Sequence, residues 1–213
     1  MPYENVQFKG VADIVFVVDL SRSMSDIIRG LKDYIADFVH NLLTDPQSTV
    51  KDVRLGLVTH DVSGRPAVHA AGFTTAASDF RASLMNAPEG GTEFGLPAED
   101  RALDFPWRST CRRYIVFFTD EPVDGGHDPV RQNSKLQELG QKMSALHVHF
   151  IGFGPQCPSY EMLGKTPGSK YSLWDRNPTA TDMKDVLEGI GKTVSQGVDD
   201  TVFANAPKNL YGL

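Results

Sequence analysis

A chain of 213 residues, 40% hydrophobic and 23% charged, has the composition of an ordinary globular protein with enough apolar material for one sizeable core. Its formal net charge of -6 supplies no positive surface for a phosphate backbone, which argues against nucleic acid as a partner. No apolar stretch approaches the roughly 18 residues of a membrane span, and the opening MPYENVQFKG lacks the basic-then-apolar pattern of a signal peptide, so a soluble, cytoplasmic protein without membrane contact is expected.

Residues 12–19, ADIVFVVD, form a continuous apolar run ending on Asp19, the pattern of a strand buried on both faces. Residues 24–43 follow as an amphipathic helix, with Ile27, Ile28, Leu31, Ile35, Phe38, Val39 and Leu42 at a 3.6-residue period. The runs 53–61 and 67–74 are joined by VSGRP, a connection suited to a hairpin, so this pair is predicted antiparallel. Residues 77–86 and 95–104 read as helices and YIVFFTD (114–120) as a second buried strand. Residues 129–145 read as a helix with Leu136, Leu139, Met143 and the following Leu146 on one face. Strands at 146–154 and 170–175 come next. A helix at 181–196, capped by Thr181 or its neighbour, turns Met183, Val186, Leu187, Ile190 and Val194 inward.

The expected fold class is α/β: a doubly wound, mostly parallel six-stranded sheet with one antiparallel edge strand and helices on both faces. Residues 1–10 read as a lead-in, 11–202 as one domain, and 203–213 (FANAPKNLYGL) as an arm or disordered tail without period. Cys111 and Cys157 fall just before one strand and just after another, at opposite ends of a parallel sheet, and are expected as free thiols.

Open α/β sheets bind ligands at the carboxyl ends of their strands, near the point where strand order reverses. Asp19 and Asp120 both end predicted strands, and two carboxylates brought to one crevice repel unless a cation or protons intervene. Ser21 and Ser23 stand two residues apart on the loop after Asp19, able to face one ion. A set of carboxylates and hydroxyls with no His or Cys suits Mg²⁺, Mn²⁺ or Ca²⁺ and not zinc.

These residues carry a resemblance. DLSRS (19–23) matches the D-x-S-x-S signature of the von Willebrand factor A (vWA) domain with its metal-ion-dependent adhesion site (MIDAS), and EGGTE (89–93) and FFTDE (117–121) stand in the order of that family's second and third loops. Over about residues 11 to 200 the chain resembles a stand-alone, bacterial-type vWA domain of Rossmann-like fold. The resemblance implies one divalent cation, magnesium ahead of manganese or calcium. It makes Ser21 and Ser23 direct ligands, Thr92 a switchable one, and Asp19 and Asp120 holders of the metal or its waters. It further implies a protein-binding module and not an enzyme, in which an acidic side chain of a partner protein takes the open coordination position. Stand-alone members resemble adaptors for MoxR-type AAA+ ATPases, or components of bacterial stress and tellurite-resistance systems that also encode kinases and phosphatases.

Three departures accompany the match. Arg22 stands where the family usually has Gly and puts a cation beside the site. Glu93 is an alternative to Thr92 as the second-loop ligand, and a carboxylate there would make the ion less electrophilic. Glu121 adds negative charge at the rim and is a candidate for the open position itself.

Each residue also has a plainer reading. Ser21 and Ser23 suit N-caps for the helix starting near 24, and Thr92 and Asp120 suit turn chemistry. His60 and Asp61 read as hydrogen-bonded loop residues, His147 and His149 as structural groups on one face of a strand, and Glu121, Asp124 and Asp128 as a solvated acidic loop, with His127 unsupported as a ligand. Enzyme motifs fail. VVDLSRSM contains no glycine for a dinucleotide fingerprint, and the GKT runs at 164–166 and 191–193 have Ser159 and Val186 where a phosphate loop needs glycine. There is no G-x-S-x-G elbow. The surviving alternative is a Mg-dependent phosphohydrolase using Asp19 and Asp120.

Overall fold

The computed structural model describes residues 10–60, 66–68, 72–87, 95–122, 129–174 and 178–196. The described elements run β1 (Val11–Val18), α1 (Ser25–Thr44), β2 (Asp52–His60), β3 (Pro66–Val68), α2 (Ala77–Asn86), α3 (Gly95–Leu103), β4 (Arg112–Phe118), α4 (Pro129–Leu146), β5 (Val148–Gly154), α5 (Pro158–Leu163), β6 (Lys170–Leu173) and α6 (Asp182–Gln196), with a 3-10 turn at Arg22–Met24 leading into α1. Strands β2, β1, β4, β5 and β6 lie side by side, all parallel, and the three residues of β3 pair antiparallel along the outer edge of β2.

The unbroken apolar run of β1 follows from its position. Flanked by β2 and β4 and covered on both faces, it has no side facing water, so alternation between polar and apolar gives way to apolar throughout. Ile14, Phe16 and Val18 pack into one layer with α1, α2 and α6, while Val15 and Val17 pack into the other with α3, α4 and α5. Phe38 and Met143 are core residues of the two layers, as their spacing predicts. Helices α1 and α6 approach closely at Gly30, where a Cβ would lie 2.5 Å from Met183 Cβ, so only glycine permits that crossing.

At the amino end of β1, Asp13 is completely buried and gathers two arginines beneath the sheet. Arg54 donates from Nε and Nη2 (2.9 and 2.6 Å), and Arg108 donates from its backbone N–H and Nε (both 2.9 Å). The Cys111 thiol adds a longer contact at 3.3 Å. Burial alone would raise the Asp13 carboxyl, but hydrogen bonds from Arg54, the Arg108 backbone, Cys111 and the Arg108 side chain hold it below its ordinary value. Both cysteines are buried and free, Cys111 just before β4 and Cys157 just after β5.

Several predicted boundaries are corrected. Of the run expected as a strand at 67–74, residues 69–71 lie outside the described residues; Pro66–Val68 forms a strand and Thr74 makes an isolated antiparallel bridge with Leu55. Helix α5 was not anticipated; six residues opened by Pro158 are too few to display a 3.6-residue period. β4 ends at Phe118, so Asp120 lies two residues beyond the strand instead of closing it. β5 starts at Val148, leaving His147 outside it with a left-handed φ of 51°, and the two histidines do not share a strand face. His149 is buried, and loss of solvent pushes its imidazole down to about 4, so it stays neutral in the core. Thr179, not Thr181, caps α6: its hydroxyl accepts from the Asp182 N–H, while the Asp182 carboxylate accepts from the Thr179 N–H and hydroxyl. Among the described residues no helix is long and apolar enough to cross a membrane. Residues 203–213 lie outside the described residues.

Candidate metal centre

Strand order reverses at β1 and β4, which are adjacent in the sheet although 93 positions separate the end of the first from the start of the second. Their carboxyl ends lie at the position where this topology places a ligand site. The Asp19 N–H donates to the Phe118 carbonyl at 3.0 Å, extending the β1–β4 ladder one residue beyond the strand and fixing where Asp19 stands.

The Asp19 side chain is 1% exposed. One carboxylate oxygen accepts from the Ser21 backbone N–H at 2.7 Å, an Asx turn that folds the loop back over the strand end. The other accepts from the Thr119 hydroxyl at 3.0 Å, and Thr119 Oγ1 in turn accepts from the Glu121 N–H at 3.2 Å. The Asx turn places the Ser21 hydroxyl 3.0 Å from the Ser23 hydroxyl, and Ser21 Oγ donates to Asp120 Oδ1 at 3.4 Å. Two loops from distant parts of the chain thus bring Asp19, Ser21, Ser23 and Asp120 together. Arg22 and Glu121 stand exposed beside them.

Capping does not explain the serines. The residue preceding α1 is Met24, which supplies no side-chain cap, and Ser21, at the head of the 3-10 turn, makes no side-chain capping bond either. The turn closes through the backbone, from Met24 N–H to the Ser21 carbonyl at 3.0 Å.

The electrostatics of Asp19 invert those of Asp13 on the same strand. Burial raises the Asp19 carboxyl above its ordinary value; hydrogen bonds from Ser21 and Thr119 offset this only in part, and the nearby charge of Asp120 adds to it. Asp13 has two guanidinium groups. Asp19 has only neutral donors among its described partners.

That contrast tests whether a cation fits. A buried carboxylate, a second carboxylate close by and two hydroxyls are all hard oxygen donors, the chemistry suited to a small divalent ion. Among the described residues no group of three or more His, Cys, Asp or Glu side chains gathers anywhere, so the hydroxyls are essential to any such site. Thr92 and Glu93 lie outside the described residues, as do Asp61, Asp124, His127 and Asp128. Thr119 is the participant that motif spacing missed. Register pointed to it: Val18 pairs with Phe118, so the next residues along, Asp19 and Thr119, come opposite each other.

Comparison with known proteins agrees at the level of fold. No family model and no curated protein sequence matches the chain. Among solved structures, the SpRpn10 VWA domain superposes with a TM-score of 0.61 at 17% identity, covering 89% of this chain and 98% of that one. Proximal thread matrix protein 1 from the mussel byssus, a structure with a zinc-occupied MIDAS motif, superposes with a TM-score of 0.62 at 15% identity over 88% of this chain. A second crystal form of it gives 0.60 at 16% identity. This chain spans 46% of that mussel protein.

Proposed function

We propose that this vWA-fold chain is a protein-binding module that holds one divalent cation at the carboxyl ends of β1 and β4 and uses it to grip an acidic side chain of a partner protein. The observation that carries the reading is Asp19, a carboxylate buried at a strand end beside two hydroxyls and a second carboxylate, with no cationic partner among the described residues. Asp19, Ser21, Ser23 and Asp120 would hold the ion, with Thr92 or Glu93 from the second loop completing the set. The bound ion supplies positive charge and a coordination position for the partner's carboxylate. Thr119 and the Ser21 N–H orient the Asp19 carboxylate, and Arg22 adds a cation at the rim that favours an acidic partner. Magnesium is the ion we favour, since every donor is oxygen; the zinc belongs to the mussel protein.

The reading is non-enzymatic. Both Asp19 oxygens already accept hydrogen bonds and the side chain is 1% exposed, a poor arrangement for an attacking nucleophile. An adaptor role beside a MoxR-type AAA+ ATPase, or in a stress-response or tellurite-resistance system with kinases and phosphatases, is the setting suggested by the resemblance of the three motifs. The test is calorimetric titration of chelator-treated protein with Mg²⁺, Mn²⁺, Ca²⁺ and Zn²⁺, on wild type and Asp19→Ala, alongside a generic phosphatase assay. Saturable binding of one ion, lost in the variant and without turnover, is expected. Absence of binding at about 10 mM metal, far weaker than the micromolar range of sensor-type calcium sites, overturns the metal reading, and metal-dependent phosphate release overturns the non-enzymatic one.

A further inference from the structure

Helix α3 lays Gly95, Leu96, Ala98, Glu99, Ala102 and Leu103 against the sheet, the stripe expected of a helix packed on one face. Glu99 is the anomaly in that stripe. It is fully inaccessible, and among the described residues neither carboxylate oxygen has a hydrogen-bond partner. A buried polar group in that state is rare in a native fold and calls for a physical reason.

Among the described residues, the groups around it supply no counter-charge. From α5, Tyr160 comes near enough to interact with Glu99; its hydroxyl is held well above its usual range by burial, and then by Cys157, Glu99, Tyr171 and Asp19. On α4, Lys135 and Lys142 bond Asp100 of α3 at 2.6 and 2.9 Å, and Lys142 also bonds Asp104 at 2.8 Å. The titratable residues of β2 are Asp52, Arg54 and His60, of which the first two are tied into the Asp13 cluster. β3 has none.

Gly95 explains how the helix comes so close. A Cβ there would lie 2.2 Å from the Tyr160 hydroxyl, which fills the space of the missing side chain. Residues four apart on a helix share a face, and the later side chain leans back over the earlier turn. The Glu99 carboxyl and the Tyr160 hydroxyl therefore converge on one dry patch of α3. A carboxylic acid tolerates such a patch, whereas a carboxylate demands water or a cation. With the first turn of α3 seated, Glu99 is closed off from solvent and no cation among the described residues bonds it.

We propose that Glu99 is a proton-binding site that keeps α3 on the sheet while its carboxyl is protonated and releases the first turn of α3 when it ionises. Thr92 and Glu93 precede Gly95, the first residue of α3, by three and two positions in the sequence. Proton release would thus loosen the second loop of the metal centre; this coupling, unlike the proton site itself, rests on the function proposed above. The direction follows from linkage: a carboxyl raised well above 4.5 in the folded chain contributes its full stability below 4.5 and loses it as pH rises through the raised value.

The test is amide hydrogen exchange on metal-free protein between about pH 5.5 and about pH 9, corrected for intrinsic rates, on wild type, Glu99→Gln and Glu99→Met. In the wild type, protection of residues 95–103 falls at least about tenfold, the effect of one pKa unit, while β1 and β4 keep theirs; both variants are flat. The same pH dependence in all three proteins overturns the proposal. So does a loss spread equally through β1 and β4, which would make Glu99 a global liability and not a hold on α3. The ratio of wild-type to Glu99→Gln Mn²⁺ dissociation constants, measured over the same range, should rise with the exchange rate. A flat ratio refutes the coupling alone, and no Mn²⁺ binding in either protein refutes the metal reading while the exchange result stands.

Discussion

Removing the negative charge from either end of β1 should have unequal consequences. Asp13→Asn leaves Arg54 and Arg108 beneath the sheet with one neutral acceptor in place of a carboxylate that both of them grip. Breaking a buried ion pair from one side costs about 3–5 kcal/mol; these arginine side chains retain 23% and 25% exposure, so solvent recovers part of the loss and about 3 kcal/mol is expected. Asp19→Asn removes a buried charge that no cation among the described residues offsets. Its amide oxygen can keep the Ser21 N–H, and the Thr119 hydroxyl can turn from donor to acceptor, so the change in metal-free stability should stay within about 1 kcal/mol. Saturating Mg²⁺ separates the two again. At a hundredfold excess over its dissociation constant it should add about 2.7 kcal/mol to wild type and nothing to Asp19→Asn. Urea unfolding followed by tryptophan fluorescence, in chelator and in Mg²⁺, measures all of these quantities. The reasoning fails if Asp19→Asn in chelator costs as much as Asp13→Asn, since Asp19 would then be a structural counterpart of Asp13. The acid limbs should differ too. Asp13 contributes stability above 3.8 that is lost as pH falls through its lowered value, whereas the metal-free contribution of Asp19 is present below 3.8 and fades as pH rises through its raised value.

Ser21→Ala combined with Ser23→Ala should abolish divalent-ion binding in calorimetry while lowering stability by less than the roughly 1 kcal/mol of a lost helix cap, because neither hydroxyl caps α1; intact affinity would exclude the hydroxyls as ligands. Thr119→Val keeps the shape of the side chain but deprives Asp19 of its second donor, and should weaken metal binding several-fold, at a stability cost of about 1–2 kcal/mol. Burial, aided by the Asp13 charge, pushes the Cys111 thiol up to about 11. Alkylation by iodoacetamide near pH 8 should therefore spare Cys111 in folded protein and proceed on unfolding in urea, which peptide mass spectrometry would show.

Much of this fold is written in periodicity. The two-sided burial of β1 and β4 appears as unbroken apolar runs, and the stripe of α1 as a 3.6-residue repeat, because both elements bury nearly everything their pattern allows. What escaped was set by contacts between distant segments. The six residues of α5 depend on what packs over them. At the site, Asp19, Ser21, Ser23 and Asp120 were legible as a spaced motif and do meet in space, but Thr119 enters only through strand register. Glu99 was invisible for a different reason. Beside Asp100 and Arg101 it reads as part of a solvated charge run, and only the packed helix shows it on the inward stripe.

The hydrogen bond between Ser21 and Asp120 spans 99 positions of the chain, which has a kinetic consequence. No fragment containing only the first loop possesses the site, since its donors meet after β1 and β4 have paired, with β2 built from the intervening chain on the far side of β1. Closing so long a loop is costly before any contact rewards it. An ion bound there, as proposed above, should not template the fold. It should leave the refolding rate unchanged and act on the other limb, slowing escape from the native state, like any interaction absent from the folding transition state.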